Sequence, residues 1–494
     1  MRTFTKLAAV ALASAAVLTT TTVVSADAAD SQGRGRVKNV IYLLGDGMGR
    51  SHVTAARDRY YGAAGSLQME RLPVVGQVRT YAVQKKSGQP GQPDFEPQYV
   101  TDSASSATAW ASGVKTYNAA LGVDAKGAVV PTLMELAKKA GYRTGNVSTA
   151  EITDATPASQ MSHALARGCQ GPTYSAGSCQ DTDITGTPLP TSDVRVTPIA
   201  DQIARNGTSD VILGGGLSRF DAADEEALVA QGYDVLGSPA DQTVATRTDL
   251  QSTRSRKVFG LFNKGNLTIE KFKRENPNAV QVAEPTLPEM TRKAISLLNR
   301  RGGKGFYLQV EGALIDKRSH ANDAAQVLEE MRAFDDAVAA AVSFAKRDKN
   351  TLVIVTADHE CAGFGIIEKG TFSNAEAQTP PANADSGNPA NSSTPTRAAN
   401  KKDAARSTGP VNGSGSSDPE NFAPATFRTV DDPASVEDGT LEAGLWLTYL
   451  SGNHTGQDVP LYAYGPKSKS LADTIENTKL FDVVGGALRL TSGQ

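Results

Sequence analysis

Histidine is scarce in this chain, with five in 494 residues. Any chemistry that needs an imidazole must draw on very few positions. Cysteine is scarcer, with three. One disulfide and one leftover thiol therefore exhaust the supply. The formal net charge is only −3, so there is no basic excess, which argues against general nucleic-acid binding. No internal repeat is evident. The hydrolase elbow G-x-S-x-G is also missing. No apolar run is long enough to cross a membrane: Leu7–Leu18 is short and Ala-rich, and no later stretch does better.

What the N-terminus does hold is a sequence of regions. Arg2 and Lys6 precede the apolar run, and small residues follow through Val24–Ala29. That order predicts a secretory signal peptide over residues 1–28, with cleavage around 26–29, and an exported soluble protein. Export permits disulfides. Cys169 and Cys179 bracket a short polar loop and are expected to pair. Cys361 is then left over, and a buried, inert thiol is expected there.

Apolar, β-branched runs recur at Asn39–Leu44, Tyr142–Val147, Val211–Leu213, Gly305–Val310, Thr351–Val355 and Leu461–Tyr464. Runs of that kind suit strands buried on both faces, as in a parallel sheet. Helical patterns lie between them. Pro131–Ala140 reads as a helix with Pro in its first turn and Gly141 beyond its end. Val327, Met331, Phe334, Val338 and Val342 form one apolar stripe on a longer helix. The alternation predicts an α/β fold with a mostly parallel central sheet and helices on both faces. Residues 29–370 and 426–494 are expected to form one catalytic domain. Residues 371–425, dominated by small and polar residues, are expected to be a mobile or crown-like insertion.

Three of the strand candidates run into acids: Asp46 in G-D-G-M-G, Glu311 in E-G, and Asp358 in T-A-D-H-E. Parallel sheets bind ligands beyond the carboxyl ends of their strands, so three acids at that edge suggest a cation site. His359 follows Asp358 directly. His320 follows Asp316 by four, one helical turn away, and His454 lies in G-N-H-T-G. Imidazole with carboxylate is a common shell for catalytic zinc. His52 and His163 are expected in structural or supporting roles. Ser103, in V-T-D-S-A-S-S-A-T, has no histidine near it in sequence. Asp102 and Ser103 read as a helix start, and a metal ion could activate the serine hydroxyl; the two readings are compatible, because a helix N-terminus also favours a phosphate.

The chain resembles the metal-dependent alkaline phosphatases of the secreted bacterial type from about Lys38 to the end. The carriers are D-G-M-G at 46–49, V-T-D-S-A-S-S-A-T at 100–108 and V-S-T-A-E-I-T-D-A-T-P at 147–157. E-G-A-L-I-D-K-R-S-H at 311–320, T-A-D-H at 356–359 and H-T-G at 454–456 complete the set. The resemblance implies two Zn²⁺ and one Mg²⁺ per chain. Asp316, His320 and His454 would hold one zinc; Asp46, Asp358 and His359 would hold the other, with Ser103 as exchangeable ligand. Asp46, Thr156 and Glu311 would hold magnesium, with Asp154 and Lys317 behind them. Arg167 in H-A-L-A-R-G-C would clamp phosphate, with Asp102 orienting it.

By that resemblance the activity is hydrolysis of phosphate monoesters through a phosphoserine, with broad specificity. Small phosphate monoesters are the expected partners, and a homodimer remains an option. Neither a specific nucleic acid nor a membrane, once the signal is removed, is expected. The nearest rivals are a phosphodiesterase or sulfatase of the same superfamily. A catalytically silent metal- or phosphate-binding protein is the rival from another class.

Overall fold

Asn39–Gly45 is aliphatic along its whole length, and every one of its residues is buried. A strand covered on both faces has no use for polar alternation, and this one sits in the middle of a large sheet. The computed structural model describes residues 36–370, 425–450 and 452–490. Among these, one sheet holds ten strands. In chain order they are β1 (Asn39–Gly45), β2 (Val74–Arg79), β3 (Arg143–Glu151), β4 (Val211–Gly215) and β5 (Asp234–Leu236). Then come β6 (Val258–Leu261), β7 (Phe306–Gly312), β8 (Thr351–Thr356), β9 (Val459–Tyr464) and β10 (Thr474–Glu476).

Their order across the sheet is β10-β2-β9-β8-β1-β7-β3-β4-β6-β5. All neighbours run parallel except β9, which is antiparallel to both β8 and β2. The mostly parallel α/β architecture expected from sequence is therefore the one observed, with a single reversed strand. β1 lies between β8 and β7 in a register that pairs Leu44 with both Thr356 and Glu311. The carboxyl ends of these three strands thus finish level, and the residues just beyond them share one edge.

Helices close both faces of this sheet. The helix Ala324–Asp348 buries Val327, Met331, Phe334, Val338 and Val342, the stripe expected from sequence, and packs on β1, β7 and β8. Helix Ser103–Ser112 stacks Trp110 on Tyr42 of β1, with ring centroids 5.6 Å apart. The expected helix near Pro131 is shorter than its sequence reading, Leu133–Lys139. Pro131 stands outside it, and Thr132 and Glu135 make a reciprocal capping box. The side chain of Thr132 captures a first-turn N–H, which a proline there could not do.

The expected signal segment, residues 1–28, lies outside the described residues, as do residues 371–424 of the expected insertion. Ala425, also assigned to that insertion, is buried in the strand Ala425–Phe427. Together with Gly365–Ile367 and Leu445–Thr448 it forms a three-stranded sheet that sequence reading missed. No helix among the described residues is long and apolar enough to cross a membrane.

Cys169 and Cys179 form a disulfide across ten residues. Closing so short a loop removes about 2–3 kcal/mol of unfolded-chain entropy. The double variant Cys169→Ser/Cys179→Ser is expected to lose that much stability in denaturant unfolding, with the fold retained.

Candidate active site

β1 ends in Gly45-Asp46-Gly47, and the turn has to make room. Gly47 takes φ +70°, and a Cβ there would lie 2.9 Å from Asp316 and 2.9 Å from Cys361. Glycine meets both demands at once. The tight turn also aims the Gly47 N–H at Asp358 Oδ1, 3.0 Å away, and the His359 N–H bonds the same oxygen at 3.0 Å. One oxygen of Asp358 is thereby pinned, and Oδ2 faces inward with no hydrogen bond.

Ser103 is the first residue of helix Ser103–Ser112, and Asp102 is its N-cap. Asp102 Oδ1 accepts from Ser105 N at 2.9 Å, and Oδ2 accepts from Ala119 N at 3.0 Å. Oδ2 also accepts from Arg167 Nη1 at 3.1 Å. Arg167 Nη2 donates to Asp154 Oδ1 at 2.8 Å, and Lys317 Nζ donates to Asp154 Oδ2 at 2.6 Å. Burial would raise the Asp154 pKa, but Lys317 and Arg167 outweigh it and hold the group below the usual carboxylate range. A guanidinium gripped by two carboxylates is fixed in direction, with its side chain still 31% exposed. Asp102 therefore both caps this helix and pairs with Arg167.

The sequence offered no histidine near Ser103, but the fold brings one. Ser103 Oγ lies 3.2 Å from His359 Nε2. Asp358 Oδ2 is 3.1 Å from the same nitrogen, and Asp46 Oδ1 is 3.7 Å from it. One imidazole nitrogen serves one hydrogen bond at a time, so three oxygens converging there exceed what a proton can satisfy. The buried Asp46 Oδ1 and Asp358 Oδ2 make no hydrogen bond. Burial, then Asp358, Asp316 and Glu311, push the Asp46 carboxyl well above its ordinary value. Such a cluster fits a cation.

A second cluster stands beside it. Asp316 and His320 share one face of helix Leu314–His320, with Oδ2 and Nε2 3.3 Å apart. His454 Nε2 is 3.6 Å from Asp316 Oδ1 and 3.1 Å from His320 Nε2. His320 Nδ1 sits 2.6 Å from the Gly452 carbonyl, and His454 Nδ1 3.1 Å from that of Thr101. A carbonyl only accepts, so both Nδ1 atoms carry a proton, and the two Nε2 atoms meet beside Asp316, whose carboxylate outweighs burial and raises the His320 pKa. Burial and the neighbouring His359 lower His454 to about 4, which favours its neutral form. The donor groups of both clusters have the composition of a metal site.

Glu311, near the end of β7, lies beside Ser148 of β3, its partner in the parallel register. Ser148 Oγ accepts from Ala150 N at 2.8 Å and donates to Glu311 Oε2. Burial raises the Glu311 pKa. Thr156 follows on the short helix Ala155–Ala158 that Asp154 caps, and its carbonyl is held by Gln309 Nε2 at 3.0 Å. His52 and His163 lie outside both clusters. His52 Nδ1 accepts from Gly49 N and its Nε2 bonds Ser319 Oγ at 3.0 Å, next to His320. His163 bonds Glu135 and the Gly122 carbonyl. Two contributors were missed in the sequence. One is Ser148; the other is Asn118, whose Oδ1 accepts from Asp102 N at 3.0 Å.

The chain is similar to known proteins of one family. The alkaline phosphatase family model matches residues 37–490. An alkaline phosphatase of Escherichia fergusonii is 42% identical over 349 residues, covering 65% of this chain and 70% of that protein. Alkaline phosphatase H of Pseudomonas aeruginosa is 34% identical, covering 92% of this chain and 86% of that one. A variant of the alkaline phosphatase from the Antarctic bacterium TAB5, with Mg bound in its M3 site, superposes with a TM-score of 0.60 at 25% identity. That match covers 93% of this chain and 99% of the other.

Proposed function

Since the chain belongs to the alkaline phosphatase family and is a phosphoric monoester hydrolase, we propose that it works through Ser103 as nucleophile on a two-zinc, one-magnesium site. The observation that carries this reading is the convergence of Ser103 Oγ, Asp358 Oδ2 and Asp46 Oδ1 on one nitrogen of His359. Asp316, His320 and His454 would hold one zinc, and Asp46, Asp358 and His359 the other. Asp46, Thr156 and Glu311 would hold magnesium. When bound, the metals supply positive charge for phosphate oxygens and lower the pKa of hydroxyl groups beside them.

The chain's own groups divide the remaining work. Ser103 Oγ loses its proton and gives an electron pair to phosphorus, the alcohol oxygen leaves on the opposite side and takes up a proton, and a phosphoserine results. Water then breaks the Oγ–P bond, releasing phosphate and restoring the serine hydroxyl. Ser103 stands at a helix N-terminus, where negative charge is favoured. Arg167 presents a planar fork to two phosphate oxygens, held by Asp102 and Asp154. Lys317 fixes Asp154 in turn. Since these groups grip the phosphate, broad specificity for the alcohol is expected. We further propose that residues 1–28 direct export and are removed.

The 3.2 Å contact between Ser103 and His359 favours a second reading, a serine–histidine pair without metal. A general-base histidine is normally oriented through its other nitrogen, yet His359 Nδ1 is buried and makes no hydrogen bond. Removing metal separates the two readings. Against the phosphodiesterase and sulfatase rivals, turnover of p-nitrophenyl phosphate, its diester and its sulfate decides. The monoester is expected to be preferred by at least about 100-fold, roughly 2.7 kcal/mol of transition-state discrimination; preference for the diester or sulfate would overturn the assignment.

A further inference from the structure

With Cys169 and Cys179 joined, the chain's three cysteines leave one thiol, Cys361. It is fully buried, at a point where the hydrophobic core meets the acids and histidines beyond the strand ends. Glu360–Cys361 pairs antiparallel with His454–Thr455, which sets Cys361 directly opposite His454. Opposed residues on such a ladder put their Cβ atoms about 5 Å apart on one face. From the other side, the missing Cβ of Gly47 lets Cys361 and Asp316 close in together. The sulfur lies 3.8 Å from the Asp316 carbonyl oxygen. Cys361 Sγ, a carboxylate oxygen of Asp316 and one ring nitrogen each of His320 and His454 all lie within 4.8 Å of one another. Donors on one tetrahedral zinc lie about 3.3–3.6 Å apart, so the widest pair this limit allows has to close by a little over ~1 Å for all four to reach one ion. Asp316 Oδ1, buried and without a hydrogen bond, is one of the oxygens at this centre.

We propose that Cys361 is a sulfur donor to the metal held by Asp316, His320 and His454. This rests on the assignment of that metal under the proposed function. The two centres then differ in kind. Asp46, Asp358 and His359 offer oxygen and nitrogen, whereas the second centre adds sulfur and selects zinc or cobalt(II) over magnesium or calcium. As the metal–sulfur bond forms, the S–H bond breaks and its proton passes to buffer.

Cobalt(II) loading of the whole protein tests this, because no other thiol is present. The wild type is expected to show an intense near-ultraviolet sulfur-to-cobalt band. Cys361→Ser and Cys361→Ala should lose it while keeping the visible cobalt bands and the metal count. Zinc release to a chromophoric chelator is expected to be about 10–100-fold faster in the variants. Cobalt bound in the wild type without the near-ultraviolet band would overturn the sulfur ligand alone. Cobalt not bound would overturn the metal assignment with it. Since the wild-type spectrum decides by itself, failure of a variant to fold does not rescue the proposal.

Discussion

Ser103→Ala is expected to lower kcat toward phosphate monoesters by at least about 10³-fold, with the fold intact. The hydroxyl is the atom that would bond to phosphorus, and among the described residues it is the one hydroxyl hydrogen-bonded to His359 Nε2. Ser103 is buried in the first turn of a helix whose cap is Asp102. Alanine fits that position, so the loss should be chemical and not structural. Residual turnover would measure what the remaining groups achieve with water alone. Acid quench during turnover should trap phosphate on the wild-type peptide that contains Ser103, and trap none on the variant. Retention of activity within tenfold, or trapped phosphate on another residue, would remove Ser103 from the mechanism.

How much of this was legible in the sequence follows from burial. β1, β7 and β8 are covered on both faces and show continuous apolar runs. β2 alternates buried and exposed residues over Val-Val-Gly-Gln-Val-Arg, so its pattern is weaker and it was missed. The three-stranded sheet at 365–367, 425–427 and 445–448 was missed because its strands are three or four residues long. Thr132-Leu133-Met134-Glu135 carried a capping-box signature that would have corrected the helix start.

The site divides in the same way. Asp46, Asp358 and His359 could be read because they directly follow strands whose carboxyl ends share an edge. Ser148 and Asn118 could not, since their partners Glu311 and Asp102 are set by strand register and loop packing. The contact of Ser103 with His359 spans 256 residues and belongs to the same class. Sequence can mark an acid at a strand end, but which strands become neighbours is decided by the whole sheet.

Removal of metal by prolonged chelation is expected to lower activity by at least about 100-fold, and Zn²⁺ with Mg²⁺ to restore it. Elemental analysis of the treated protein should confirm that no metal remains trapped. The same treatment should lower thermal stability. Asp46, Glu311, Asp316 and Asp358 are buried together, and Asp46 is pushed well above its ordinary value by burial and by the other three. A cation bound only by the folded state relieves that repulsion and stabilises it by mass action. Two readouts therefore move together if the clusters hold metal, and neither moves if Ser103 and His359 act as a metal-free pair. Full activity in demonstrably metal-free protein would favour that pair. Lost activity with unchanged stability would place the metal elsewhere, because an ion bound at these clusters only in the folded state must stabilise that state.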